Sequence, residues 1–305
     1  MGKRIRRLLA VAFAMSLATG VLAACGSDDD SADSGDSGGD DKSQTMTIAY
    51  IPWDEDIAIS YLWKHVLEEE GYEDVELKQL DAAPIFVALS KGDADFFFDV
   101  WLPQTHKDYW EEYGDQLDDI GVWYDQATLN IAVPDYMDID SIPELDQVAD
   151  EVDGQIIGIE SGAGLSRTTK EAIEDGKITD KLKLVTSSTP AMLSELKKAT
   201  EAEKPIVVTL WHPHWAYAAY PIKDLEDPDK AMGGKEELHI VGRQDVADDF
   251  PTFRDALSDW TMDDDTLASL EKTVIQEHED DPEAGVDEWV KDNEDFVKKM
   301  SDSLK

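Results

Sequence analysis

One order of elements occurs twice in this chain of 305 residues, and it leaves few folds open. In the first round Met46–Ile51 reads as a strand, and Pro52-Trp53-Asp54-Glu55-Asp56 as a turn whose acids suit a helix N-terminus. A helix follows to about Glu70, with Ile59, Leu62, Trp63, Val66 and Leu67 on one face, and Gly71 ends it. Val75–Leu80 is a second strand, Pro84–Ser90 a short helix closed by Lys91-Gly92-Asp93, and Ala94–Val100 a third strand that delivers Trp101. In the second round Gln155–Ile159 is a strand, Ser161–Gly164 a glycine turn and Leu165–Asp175 a helix. Leu182–Val185 is the next strand, Pro190–Lys198 a helix, and Ile206–Leu210 a strand ending in Trp211. Strands alternating with helices argue for parallel α/β sheets. The two rounds share a layout and no visible sequence repeat.

Between and after them, Gly121–Tyr124 and Thr128–Pro134 are strand-like, and the second of these is the expected passage from one lobe to the other. Residues 135–150 are polar and turn-rich, and Leu238–Val241 is the expected returning crossover. Residues 248–303 read as three helices, with Trp260 and Trp289 among their apolar positions. Two α/β lobes joined by two crossover strands, with helices at the end, describe a periplasmic-binding-protein architecture. Lobe 1 is expected at 46–133, lobe 2 at 134–237, and 238–305 returns to lobe 1. The ligand cleft then lies between the lobes, where strand ends from both meet.

Upstream, residues 1–24 read as a signal peptide: Lys3, Arg4, Arg6 and Arg7 precede an apolar core from Leu8 to about Leu22. Ser16, Thr19 and Gly20 interrupt that core, which is short for a membrane span. Leu22-Ala23-Ala24-Cys25 is similar to a bacterial lipobox, so Cys25 is expected to be lipidated and to become the mature N-terminus. The alternative is a plain secretory signal with an incidental cysteine. Residues 25–45 then form a lipidated flexible tether, too rich in Gly, Ser and Asp to bury a core. Cys25 is the single cysteine, so no disulfide can form within one chain.

The charge narrows the partners. With 69 acidic and 27 basic residues the formal net charge is −42. Such a surface repels nucleic acid and anionic lipid. It suits salty surroundings, where the Debye length falls to roughly 3 Å near 1 M salt; an ordinary acidic extracellular protein is the alternative.

Trp53, Trp101 and Trp211 all fall at strand ends, where open α/β sheets collect ligands. An indole face attracts a cation by ~0.5–2 kcal/mol, more when desolvated. Three around one point make a cage without hydrogen-bond acceptors, which would strip water from a primary ammonium and favour a trimethylammonium that has no N–H to satisfy. Trp63, Trp110, Trp260 and Trp289 sit at helical spacing and are assigned to core packing, while Trp123 and Trp215 stay undecided. If the ligand is a zwitterion, Ser161-Gly162-Ala163-Gly164-Leu165 opens a helix whose free N–H groups suit a carboxylate; a tight turn without a ligand is the alternative. His106 can donate a further hydrogen bond, or be a packing histidine. His212 and His214 invite a metal reading, but zinc wants three or four ligands and the remaining ones are not evident. No P-loop, G-x-G-x-x-G or G-x-S-x-G turn occurs. No metal or cofactor is called for, and no acid pair stands out as a hydrolase in so acidic a chain.

Residues 46–243 closely resemble the glycine betaine/proline betaine substrate-binding lipoproteins of ABC importers, with the C-terminal helices fitting more loosely. The matching stretches are Ile51-Pro52-Trp53-Asp54-Glu55-Asp56-Ile57-Ala58, Trp101-Leu102-Pro103-Gln104-Thr105-His106, Gly162-Ala163-Gly164 and Pro205–Trp215. The resemblance implies a type II periplasmic-binding-protein fold and a monomer that captures glycine betaine outside the cell and docks on an importer permease, with no enzymatic step. It implies that Trp53, Trp101 and Trp211 are the cage walls, and that His106 and the amides of Gly164 and Leu165 hold the carboxylate. Ser161 stands where proline is expected and Leu165 where isoleucine is commoner, and a backbone contact survives both. His212 replaces a small hydroxyl residue beside a cage wall and bears on selectivity. The rivals are a choline or carnitine receptor of the same fold, a signalling receptor that feeds no importer, and an extracellular metal-dependent hydrolase using His212 and His214.

Overall fold

The computed structural model describes residues 41–305. The signal peptide, the lipidation of Cys25 and nearly all of the tether therefore lie outside the described residues. Nine strands are present among those described: β1 (Thr45–Tyr50), β2 (Asp74–Gln79), β3 (Phe96–Leu102), β4 (Leu117–Pro134), β5 (Gln155–Ile157), β6 (Lys183–Val185), β7 (Val208–His212), β8 (Ile222–Asp224) and β9 (Glu236–Arg243). They run in the spatial order β2-β1-β3-β9-β4-β7-β5-β6, with β8 also on β4.

Each strand–helix–strand–helix–strand round becomes a parallel triplet. β1 pairs in parallel with β2 and β3, and β5 does the same with β6 and β7. The helices Asp54–Glu69 and Ala82–Lys91 carry the first set of crossovers, and Gly164–Glu174 and Thr189–Glu201 the second. Phe96, Phe97 and Phe98 are fully buried, as a central strand covered on both faces requires.

The triplets are bridged by antiparallel strands. β4 pairs with β9 from Leu117 to Ala127, with β7 from Thr128 to Ala132, and with β8 from Ala132 to Pro134. It is thus one 18-residue strand where the sequence suggests two. Three register shifts between Asp119 and Ala127 bend it from one sheet into the other. The return differs from expectation. Leu238–Val241 is no crossover but the middle of β9, already inside the first sheet between β3 and β4. The chain comes back through the irregular segment 225–235, because Leu225 and Glu226 still bond to Ile131 and Asp140 of the second lobe.

The C-terminal region holds five α-helices rather than three: Val246–Asp249, Pro251–Ser258, Asp264–Glu271, Pro282–Asp292 and Glu294–Ser303. Pro251 and Pro282 open new helices, and Asp263 and Asp281 cap theirs by accepting the N–H of Thr266 and Ala284. These helices pack on Asp54–Glu69, where Trp63 meets Phe253 and Trp260 edge-on at 5.2 and 5.3 Å. Trp123 belongs to the same core: it lies 5.7 Å from Trp260 and donates its Nε1–H to the carbonyl of Phe98. Among the described residues no helix is long and apolar enough to cross a membrane.

Candidate functional site

Trp53 follows β1 and is the N-cap residue of helix Asp54–Glu69; Trp101 and Trp211 are the penultimate residues of β3 and β7. All three lie at the carboxyl ends of parallel strands and are nearly fully buried. The structure brings them onto one cavity, with Trp53 and Trp211 6.3 Å apart at 50°. Its wall is shared evenly. Trp53, Glu55, Trp101 and Thr105 come from the first lobe, and Leu129, Ile159, Leu165 and Trp211 from β4 and the second. The space between them is about 10 Å³, close to what one water requires. Any larger guest must part the walls, and a hinge movement between lobes would do so, because each lobe carries half of them.

Glu55 corrects one expectation. Three indoles alone would make a cage without acceptors, yet the Glu55 carboxyl lies on its wall, fully buried. Its Oε2 accepts the Nε1–H of Trp211 at 3.0 Å, and its Oε1 has no partner among the described residues. Asp99, two residues before Trp101 on β3, accepts the Nε1–H of Trp101 at 2.8 Å. Trp215 likewise donates to Asp54 Oδ2 at 2.5 Å. The acids that the sequence marks only as helix-start residues therefore hold the indoles of the opposite lobe in place. Burial is the main cause that raises the Asp54 carboxyl to about 7 and pushes Glu55, Asp56 and Asp99 well above the usual carboxylate range.

His106 stands behind a wall rather than on the cavity. Its ring stacks on Trp53 at 5.7 Å and 3°, and its Nδ1 accepts the backbone N–H of Trp101 at 3.0 Å. Burial, and then the charge of Arg167, lower its pKa to about 3, so the ring is neutral. With Nδ1 accepting, Nε2 carries the proton: it is a buried donor with no partner among the described residues. Leu165 lines the cavity but Gly164 does not. Gly164 instead lets the start of helix Gly164–Glu174 press on the first lobe, for a Cβ there would lie 2.1 Å from the carbonyl oxygen of Thr105. The loop it meets is held from behind. Glu236 Oε2 accepts the N–H of Gln104 and of Thr105 at 2.8 Å each, and its Oε1 accepts the Thr105 hydroxyl at 2.5 Å. From the front, Arg167 Nη2 donates to the Gln104 carbonyl at 2.7 Å.

His212 and His214 face different partners. His212 stacks on Tyr217 at 3.8 Å and bonds Asp224 at 2.7 Å. His214 is buried against Trp211, accepts the Ala216 N–H at Nδ1, and turns Nε2 towards Asp54 at 3.2 Å. Among the described residues no three His, Cys, Asp or Glu are grouped to hold a metal.

Two α/β lobes with strand ends meeting on an inter-lobe cavity define a type II periplasmic binding protein. Solved structures agree. Lactococcal OpuAC, in its closed form with glycine betaine, is 29% identical with a TM-score of 0.78 over 86% of this chain and 100% of that one. The glycine/betaine/L-proline-binding protein ProX of Borrelia burgdorferi is 28% identical with a TM-score of 0.77 over the same shares. A choline-binding protein with choline bound, 22% identical with a TM-score of 0.75 over 84% of this chain and 91% of that one, shares the fold. Residues 44–292 match the OpuAC family, the substrate-binding domain of ABC-type glycine betaine transport systems, and the chain belongs to that family. The glycine betaine/carnitine transport binding protein GbuC of Listeria monocytogenes is 34% identical over 161 residues, 52% of each chain, so this chain spans about half the length of that curated relative.

Proposed function

We propose that the protein captures glycine betaine, or a close relative such as proline betaine, outside the cell and passes it to an ABC importer permease for osmoprotection. The observation that carries the reading is the convergence of Trp53, Trp101 and Trp211, from both lobes, on a cavity with no Lys or Arg in its wall. Each indole adds ~0.5–2 kcal/mol of attraction to a quaternary ammonium. Once the walls part to admit the ligand, the neutral His106 would offer its spare Nε2–H, and the start of helix Gly164–Glu174 the amides of Gly164 and Leu165, to a carboxylate at the other end. Because the walls divide between lobes, a bound ligand holds the lobes together, and that closed form is what a permease would recognise. Lipidation of Cys25 would keep the receptor at the membrane through the segment 25–45.

Carnitine is the second reading, since the name of GbuC couples it with glycine betaine. Choline, which has no carboxylate, would leave His106 and the helix amides unused. Calorimetric titration of the folded part with glycine betaine, carnitine and choline tests all three. Saturable heat with glycine betaine supports the proposal, and no binding of it at millimolar concentration overturns it.

A further inference from the structure

Behind the indoles lies a group of buried acids with no positively charged side chain against it among the described residues. Glu55 and Asp99 each anchor one cage wall through an indole N–H, and each keeps a second oxygen, Oε1 and Oδ2, that is buried without a partner among the described residues. Glu55 is itself on the cavity wall. The groups that face this pair are Asp54 and Asp56 on the same helix and Glu271 at the end of helix Asp264–Glu271. Glu271 is also fully buried and adds a further acid to the group, its carboxyl pushed well above the usual range first by burial and then by the charges of Glu55 and Asp54. Beyond β7, His214 turns towards Asp54, and burial lowers it to about 3, so it brings no positive charge. His106 is neutral for the same reason, and Arg167 is engaged with Gln104.

Two neighbouring carboxylates cannot both stay ionised in a dry enclosure without a cation. A quaternary ammonium is such a cation. We propose that Glu55 and Asp99 are affinity-determining residues of the cage, which hold a proton between them before the ligand enters and release it to solvent when a quaternary ammonium arrives. The captured charge is then balanced by a carboxylate and not by indole faces alone. The same ionisation strengthens the hydrogen bond from the Trp211 N–H, since an ionised acceptor binds a donor more tightly. The proton belongs to the coupled pair rather than to one residue. The inference rests on the proposal that the cage takes a quaternary ammonium.

The test is calorimetry of glycine betaine binding near pH 7 in phosphate and in Tris, buffers whose ionisation enthalpies differ widely. Proton release predicts different apparent enthalpies in the two buffers, with a difference approaching that of about one proton per ligand. Because binding expels a proton, raising the pH favours the complex. The Kd should fall between pH 6 and pH 8, by up to about tenfold per pH unit. Glu55→Gln keeps an oxygen for the Trp211 N–H but cannot ionise, so its binding enthalpy should match in both buffers and its Kd should flatten with pH. Asp99→Asn is the companion variant should Glu55→Gln fail to fold. Wild-type binding with equal enthalpy in both buffers overturns the inference and leaves the betaine reading standing. Undiminished proton release in a folded Glu55→Gln or Asp99→Asn removes that residue from the pair. Absence of any binding by the wild type overturns the betaine reading, and this inference with it.

Discussion

Replacing Gly164 with alanine adds one methyl group at a close backbone contact between the lobes. The new Cβ would lie 2.1 Å from the Thr105 carbonyl oxygen, 2.7 Å from its carbon and 2.7 Å from Thr105 Cγ2. A tolerable C···O approach is about 3.3 Å, so the two backbones must separate by more than about 1 Å. Thr105 cannot give way cheaply, because Glu236 holds its N–H and hydroxyl. Forcing a methyl into a packed contact costs about 1–3 kcal/mol. That penalty falls on the closed arrangement alone, and ligand affinity drops with the fraction of closed form, by about 5- to 150-fold. The helix itself gains, since alanine is preferred over glycine by up to about 1 kcal/mol. Gly164→Ala should therefore weaken glycine betaine binding in calorimetry while the thermal unfolding midpoint without ligand stays level or rises. Gly162→Ala, whose Cβ meets nothing within 4 Å, is the control and should bind as the wild type does. A Gly164→Ala protein with wild-type Kd would show that this inter-lobe contact is not part of the bound form.

Other perturbations separate the parts of the site. If His106 donates to the carboxylate as proposed, His106→Ala removes a bond of about 1.5–3 kcal/mol and should weaken glycine betaine about 10- to 150-fold with much less effect on choline; equal losses for both ligands would refute the carboxylate role. Trp101→Ala removes one cation–π wall, and titration should show a loss of at least about 2- to 30-fold; an unchanged Kd would take Trp101 out of the cage. Glu236→Ala strips the acceptor from Gln104 N–H, Thr105 N–H and the Thr105 hydroxyl, and should lower both the unfolding temperature and the affinity. Asp54 is held protonated by burial in the folded chain, at about 7 against an ordinary 3.8. Between those values the folded state binds more protons than the unfolded one, so its contribution is fully present below about pH 4 and is lost as pH rises to about 7. Thermal unfolding of the ligand-free protein should show that fall, and Asp54→Asn should flatten part of it; an unchanged slope in the variant would refute the assignment.

The parallel triplets could be read from sequence because each strand is a short apolar run bounded by breakers, and each helix shows its own period. Most of the missed features depend on contacts distant in sequence. Asp125 and Gln126 look like a break in β4, yet they are only the exposed outer side of a bend, with β9 pairing on one side and β7 on the other. His106 is legible as a donor, but its place behind Trp53 follows from the hydrogen bond that its Nδ1 accepts from the backbone N–H of Trp101.

The acids are the sharper case. Asp54 and Glu55 are what any helix start would carry, and in a chain with 69 acidic residues their type holds no information. Their burial is decided by Trp211 and Trp215, 156 and 161 residues away, which exist as partners only once the two lobes meet. Asp99 alone left a local signal: a carboxylate set in the apolar run Phe96-Phe97-Phe98-Asp99-Val100-Trp101, on the same side of the strand as the Trp101 it serves. A buried strand tolerates such a residue only where a donor satisfies it, and the donor is the indole N–H of the cage wall. The aromatic residues point to the ligand class and the acids behind them orient those residues; if the acids also supply the counter-charge as proposed, a cage with its indoles intact and its acids neutralised should bind a quaternary ammonium more weakly than tryptophan geometry alone would predict.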